Sequence, residues 1–199
     1  SNKTPNLDEL SRRGTRFETC WATPLCTPSR VEILTGRYGF RTGWLDNIAG
    51  SFSPPRGSRA RHLGQREETF ADVLKQCGYA TALAGKWQLP RRLPSVVRDC
   101  GFDEYLMWAI NPTSLPDGAD YQGPVAPIGP SGRSITSRYW HPALVVNGQF
   151  LPATDQDYGP DRYTEFLIDF IRRNRDRSFL AYYPMCLPHI PYLPTPRSF

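Results

Sequence analysis

Lysine is nearly missing from this chain of 199 residues: among its 24 basic residues only Lys3, Lys75 and Lys86 are lysines. Histidine is as scarce, with His62, His141 and His189 alone. No block of like charge exists either. Arg12, Arg13, Arg56, Arg59, Arg61, Arg91, Arg92, Arg172 and Arg173 lie scattered, so a net charge of +5 describes a solvated, arginine-rich surface and gives no nucleic-acid groove. No run approaches the roughly 20 apolar residues that span a bilayer, and no charged-then-apolar leader opens the chain. No CxxC pair is present. Cys20, Cys26, Cys77, Cys100 and Cys186 are odd in number and far apart, which argues against structural zinc; Cys26 aside, they read mostly as small buried hydrophobes. Asp155, Asp157 and Asp161 surround Tyr158 and Gly159 without the spacing of a calcium loop, and read as a loop and a helix start. Repeats and low-complexity tracts are absent.

What is abundant is proline, 20 residues, and glycine, 16. With aromatics spread along the whole chain, this composition predicts long irregular connections around a real core. Thr4 as N-cap, Pro5 in the first turn and Gly14 as the stop predict a helix with Leu7 and Leu10 on its apolar stripe. Residues 16–22 read as a sheet edge or loop, 29–34 as a short helix, and 39–68 as a long surface excursion. Thr69 caps a second helix, Gly78 ends it, and 79–84 follows as a short buried strand, which is half of a βαβ unit. Residues 90–155 read as irregular, with a hairpin around Asn147-Gly148. Pro160 opens a helix in which Tyr163, Phe166, Leu167, Phe170 and Ile171 recur at helical spacing, and 178–183 is an apolar strand. The pattern is α/β, with 1–199 as one domain.

The sharpest local feature is Cys26-Thr27-Pro28-Ser29-Arg30. Pro28 suits a first helical turn, which places residue 26 at or just before a helix N-terminus, where amides and the macrodipole favour an anion. Arg30, one turn later, adds a permanent fork-shaped cation suited to an oxyanion. Leu34-Thr35-Gly36-Arg37-Tyr38 follows, and Thr4-Pro5-Asn6-Leu7 and Gly14-Thr15-Arg16-Phe17 precede it. Gly78-Tyr79-Ala80-Thr81, Gly85-Lys86-Trp87 and Pro188-His189-Ile190-Pro191 come later in that order.

Together these blocks resemble the formylglycine-dependent sulfatases of the alkaline-phosphatase-like superfamily over nearly the full chain. The resemblance implies a three-layer α/β/α sandwich around a mixed sheet, incomplete here: the first strand and the C-terminal part of the catalytic domain are expected outside residues 1–199. It implies a sulfuric ester hydrolase whose Cys26 is oxidised to formylglycine by a maturation enzyme. The hydrated aldehyde, activated by calcium, attacks sulfur; the alcohol leaves, and the second hydroxyl expels sulfate. By resemblance Cys26, as formylglycine, is nucleophile and metal ligand, Lys86 touches both formylglycine and sulfate, and Arg30 belongs to the same site. His189, in its proline frame after a strand, is the candidate general acid or sulfate contact; His62 and His141 have no such frame.

One position departs from the family. Most sulfatases carry a histidine two residues after the motif lysine, where this chain has Gln88, which can hydrogen-bond a formylglycine hydroxyl but cannot take its proton. The metal-binding aspartates and asparagine and a second lysine of the family are not found within these residues, so the isolated chain is expected to be inactive. Three readings stay open: a sulfatase acting on sulfated carbohydrates, a phosphonate monoester or phosphodiester hydrolase of the same superfamily, and a non-catalytic protein that binds sulfated ligands. A periplasmic or extracellular address follows for the parent protein by resemblance alone.

Overall fold

The computed structural model describes residues 3–45, 63, 67–89, 95–128 and 132–198. Most of the expected excursion at 39–68 lies outside them, as do Arg56, Arg59, Arg61, His62, Arg91 and Arg92. Helix α1 (Pro5–Arg13) forms where Pro5 and Gly14 place it, but the Thr4 hydroxyl binds the Asp8 carboxylate and caps no backbone amide. None of its residues is buried, so the stripe of Leu7 and Leu10 faces away from this core. Residues 16–22 are loop. Helix α2 (Cys26–Thr35) starts three residues before the expected 29–34 and ends at Gly36 in left-handed backbone. The single turn α3 (Gly39–Thr42) packs against it.

Helix α4 (Phe70–Gln76) carries the full reciprocal cap: the Thr69 hydroxyl accepts from the Asp72 amide, and the Asp72 carboxylate accepts from the Thr69 amide. Strand β1 (Ala80–Gly85) follows, buried throughout because it is the inner strand of a parallel set. The expectation of an irregular 90–155 is corrected by the structure. That stretch contains α5 (Ser95–Asp99), β2 (Glu104–Trp108), β3 (Val125–Ile128), β4 (Arg133–Thr136), β5 (Leu144–Val146) and β6 (Gln149–Leu151). These strands are three to five residues long, too short for alternation to show in sequence. The hairpin joins β5 to β6, with Asn147 and Gly148 both at positive φ as its two-residue turn requires. Helix α6 (Gly159–Asn174) and strand β7 (Phe179–Tyr182) complete the chain.

The main sheet has the order β6-β5-β2-β1-β7. Strand β1 is parallel to both β2 and β7, while β5 and β6 run antiparallel, so the sheet is mixed as expected. Strands β3 and β4 pair separately. Alternation along β7 shows how the layers form: Phe179 meets Phe170 of α6, whereas Tyr182 meets Phe70 of α4 and stacks on Phe102. Odd and even positions of a strand face opposite ways, so α4 and α6 cover opposite faces of the sheet. Between them sit Trp87, Phe102, Tyr105, Trp108 and Tyr163, all essentially inaccessible.

The end of β1 admits only glycine. Gly85 has φ of 127°, and a Cβ built there would lie 2.4 Å from the Pro184 carbonyl oxygen, the same oxygen that accepts from the Lys86 amide at 2.8 Å. Gly85→Ala is therefore expected to lower stability by at least ~2 kcal/mol through strain and backbone clash, read as a fall in the denaturant midpoint at unchanged slope. A variant as stable as the parent would refute the close approach.

Candidate active site

Cys26 is the first residue of α2 and is partly exposed, while Thr27, Pro28, Val31 and Leu34 bury the helix against the core. Among the described residues, no side-chain cap bond closes this N-terminus. The entering loop is pinned one turn in, where the Ser29 hydroxyl donates to the Thr23 carbonyl at 2.9 Å and contacts the Thr23 hydroxyl at 2.7 Å. Arg30 reaches across to the sheet. Its Nη1 donates to the Lys86 carbonyl oxygen at 2.7 Å, so the motif helix is fastened to the end of β1. Its Nε is buried and finds no acceptor among the described residues.

Lys86 stands at the carboxyl end of β1, the end at which parallel α/β sheets present ligands. It is nearly inaccessible. Burial lowers its pKa below that of an ordinary lysine; negative charge at Cys26 opposes the shift, and Arg30 and Arg138 add to it. Gln88, two residues on, is also buried and takes left-handed backbone at φ 52°, so the chain bends sharply just past the strand.

His189 follows β7, which is the neighbour of β1. Its Nδ1 lies 2.9 Å from the Ile190 carbonyl oxygen. A carbonyl can only accept, so Nδ1 carries the hydrogen and Nε2 is the nitrogen left for exchange. Burial, then Arg138, Lys86 and Arg30, hold the ring's pKa below its usual value against the raising effect of the Ile190 hydrogen bond. Its loop is braced from outside the sheet: the Tyr139 hydroxyl is 2.8 Å from the His189 carbonyl oxygen and 3.2 Å from that of Cys186.

Arg138 and Cys186 were not distinguished by sequence reasoning as parts of this cluster. Arg138 sits in the link from β4 to β5, is 5% exposed, and lies with its guanidinium carbon 4.2 Å from the centre of the Trp108 ring. No spacing marked it, because the contact is made by a strand paired across the sheet. Cys186 and Cys100 are buried as expected of most cysteines here; Cys20 and Cys77 are exposed, which corrects that expectation for them. Burial pushes the Cys186 thiol up to about 11, against the pull of Arg138, Lys86 and Arg30. His141, by contrast, pairs with Asp155 away from these residues.

Among the described residues, neither Arg30, Lys86 nor Arg138 is ion-paired with a carboxylate. Nor do three His, Cys, Asp or Glu side chains come together anywhere among them as metal ligands. The site as described therefore suits an anion and does not by itself fit a divalent cation: it offers three positive groups and no acidic donor. Asp157 is occupied otherwise, accepting from the Thr154 amide at 2.7 Å, and Asp161 lies in the first turn of α6. A separate open cleft of about 260 Å³ lies beside α2 and α3, lined by Pro28, Tyr38, Phe40 and Trp44, and includes none of the three cations.

The arrangement has relatives. An N-acetylglucosamine-6-O-sulfatase of Bacteroides thetaiotaomicron is 29% identical over 197 residues, covering 98% of this chain and 28% of its own length. Arylsulfatase G of Mus musculus is 31% identical over 206 residues, covering 97% of this chain and 38% of that protein. A solved structure described as a complex with its substrate D-glucosamine-2-N,6-O-disulfate superposes with a TM-score of 0.64 at 29% identity, over 98% of this chain and 31% of the other. The chain thus spans about a third of the relatives it matches. The sulfatase family model matches residues 1–197, and the chain belongs to the sulfatase family.

Proposed function

We propose that the protein containing this chain hydrolyses sulfate esters of carbohydrates through a formylglycine made from Cys26. The observation that carries this reading is the convergence of Arg30 and Lys86 on the N-terminal end of α2, neither of them ion-paired with a carboxylate among the described residues. A tetrahedral oxyanion supplies the missing charge, and it arrives beside residue 26. The relatives' names support a sugar sulfate as its source.

Oxidised by a maturation enzyme, Cys26 supplies a hydrated aldehyde as nucleophile. Arg30 and Lys86 hold the sulfate oxygens and oppose the charge that grows on them. Gln88 donates or accepts at a hydroxyl of the hydrate and moves no proton. His189 is set by its Nδ1 hydrogen bond to exchange a proton at Nε2 with the leaving oxygen. An anion bound among its three cationic neighbours offsets their repulsion, so the ring gains its second proton as substrate binds. Calcium, where it serves, needs carboxylates other than those described here, and residues 1–199 are part of one catalytic domain that is inactive without them.

The test is the mass of the tryptic peptide 17–30 from protein co-expressed with a formylglycine-generating enzyme, followed by turnover of 4-nitrophenyl sulfate and phosphate. Replacement of the thiol by an aldehyde, with sulfate turned over faster, is expected. Conversion with phosphate or phosphonate esters preferred would move the activity to another ester of the superfamily. An intact thiol, in a host that matures a control sulfatase, would leave a protein that binds sulfated ligands without cleaving them, with Gln88 as the reason.

A further inference from the structure

Arg138 presents an electrostatic problem that the rest of the fold does not solve. Its side chain is almost wholly buried, Nη1 has no accessible surface and finds no hydrogen-bond acceptor, and the residue is ion-paired with no carboxylate among the described residues. Stacking over Trp108 at 4.2 Å gives it one face of contact but satisfies none of its five N–H groups. Among the acidic groups that act on it, the thiol of Cys186 and the phenols of Tyr139 and Tyr163 are each pushed up, first of all by burial, and so stay neutral near pH 7. A buried, unneutralised guanidinium is costly to fold around, so it marks a place where an anion is taken up.

The sheet register says where that place is. Gly85 of β1 pairs with Met107 of the parallel strand β2. Lys86, the residue after β1, and Trp108, the last residue of β2, therefore stand at neighbouring carboxyl ends of the sheet. Arg138, over Trp108, lies close enough to both Lys86 and His189 to add to the burial that lowers their pKa values. The following residue, Tyr139, braces the His189 loop on the far side. Arg138 thus belongs to the same end of the sheet, where Trp108 of β2, Lys86 after β1 and His189 after β7 follow one another in strand order.

We propose that Arg138 is a third cationic contact of the substrate's anionic group, a binding residue of the pocket formed by Arg30 and Lys86. The inference rests on the sulfatase reading of that pocket. Its occupant is a sulfate or a similar tetrahedral oxyanion delivered by the substrate. The alternative, a carboxylate of the protein itself outside the described residues, would make Arg138 a structural ion-pair partner.

Inorganic sulfate separates these possibilities. Its affinity for the purified, catalytically competent protein is measured by calorimetry, and the thermal midpoint is recorded without sulfate, for the parent, Arg138→Gln, Arg138→Lys and Arg30→Ala. If Arg138 binds the anion, Arg138→Gln weakens sulfate about 10- to 100-fold, as expected for one charged hydrogen-bonding contact, and raises KM for a sulfate ester. Arg138→Lys recovers part of the loss, and the sulfate-free midpoint does not fall, because an unneutralised buried charge has been removed. If Arg138→Gln instead lowers the midpoint and leaves sulfate affinity unchanged, Arg138 pairs with a carboxylate and the proposal is overturned. Unchanged affinity and unchanged stability overturn it equally. Sulfate binding by the parent that Arg30→Ala weakens and Arg138→Gln does not would leave the sulfatase reading standing and the Arg138 inference refuted. No sulfate binding by the parent would overturn both.

Discussion

Lys86→Ala lowers kcat/KM for an aryl sulfate by about 10²- to 10³-fold, the size of effect found when one preorganised donor is removed from a developing negative charge. The expectation follows from where the ammonium is: buried at the end of β1, with no carboxylate partner among the described residues, and with its backbone carbonyl held by Arg30. Part of the loss falls on KM, because Lys86 meets the anion in the ground state as well. The pH dependence carries a second signature. The charged form holds the anion, and the lysine's pKa is lowered, chiefly by burial. Charge is therefore lost, as pH rises, before the ~10.4 of a free lysine, and affinity for inorganic sulfate falls with it. In Lys86→Arg, where the cation does not titrate, that alkaline loss disappears. An alanine variant as active as the parent would remove Lys86 from the site.

Cys26→Ala is expected to reduce turnover by a factor on the order of 10⁴ to 10⁶, as when a covalent nucleophile is deleted. The same variant should still bind sulfate with near-parental affinity, since the cations that hold the anion, Arg30 and Lys86, are kept and residue 26 is only partly buried. Loss of turnover with retained binding is the diagnostic pair. Loss of both would mean that Cys26 supports the pocket's shape, and retained turnover would place the nucleophile elsewhere.

Local punctuation was legible in the sequence and long-range pairing was not. Thr69 with Asp72, Pro5, Gly78, Asn147-Gly148 and Pro160 each act within a few residues, and each lies at or beside an element boundary. The same holds for Cys26, whose position at the head of α2 follows from Pro28. Strands β2, β3 and β4 escaped notice because four or five residues carry too little periodicity and their partners supply the pairing. The stripe of α1 marks the same limit, since an apolar stripe says that a helix can be buried and not what buries it. Arg138 is the clearest case. Nothing at residues 137–139 distinguishes it from twenty other arginines; only the folded chain brings it over Trp108 and within reach of Lys86.

The pairing of β7 with β1 also sets an order of events during synthesis. Ala80 lies in register with Phe179 and its amide donates to the Ser178 carbonyl, and the Lys86 amide waits for the carbonyl of Pro184. A ribosome adds roughly 5–20 residues each second, so Cys26 emerges many seconds before the strand that completes the edge of β1. During that interval His189 does not yet exist and Lys86 has no settled place. Whatever acts on the nascent thiol therefore meets a flexible peptide bearing Pro28 and Arg30, free of the electrostatic surroundings that the finished molecule imposes.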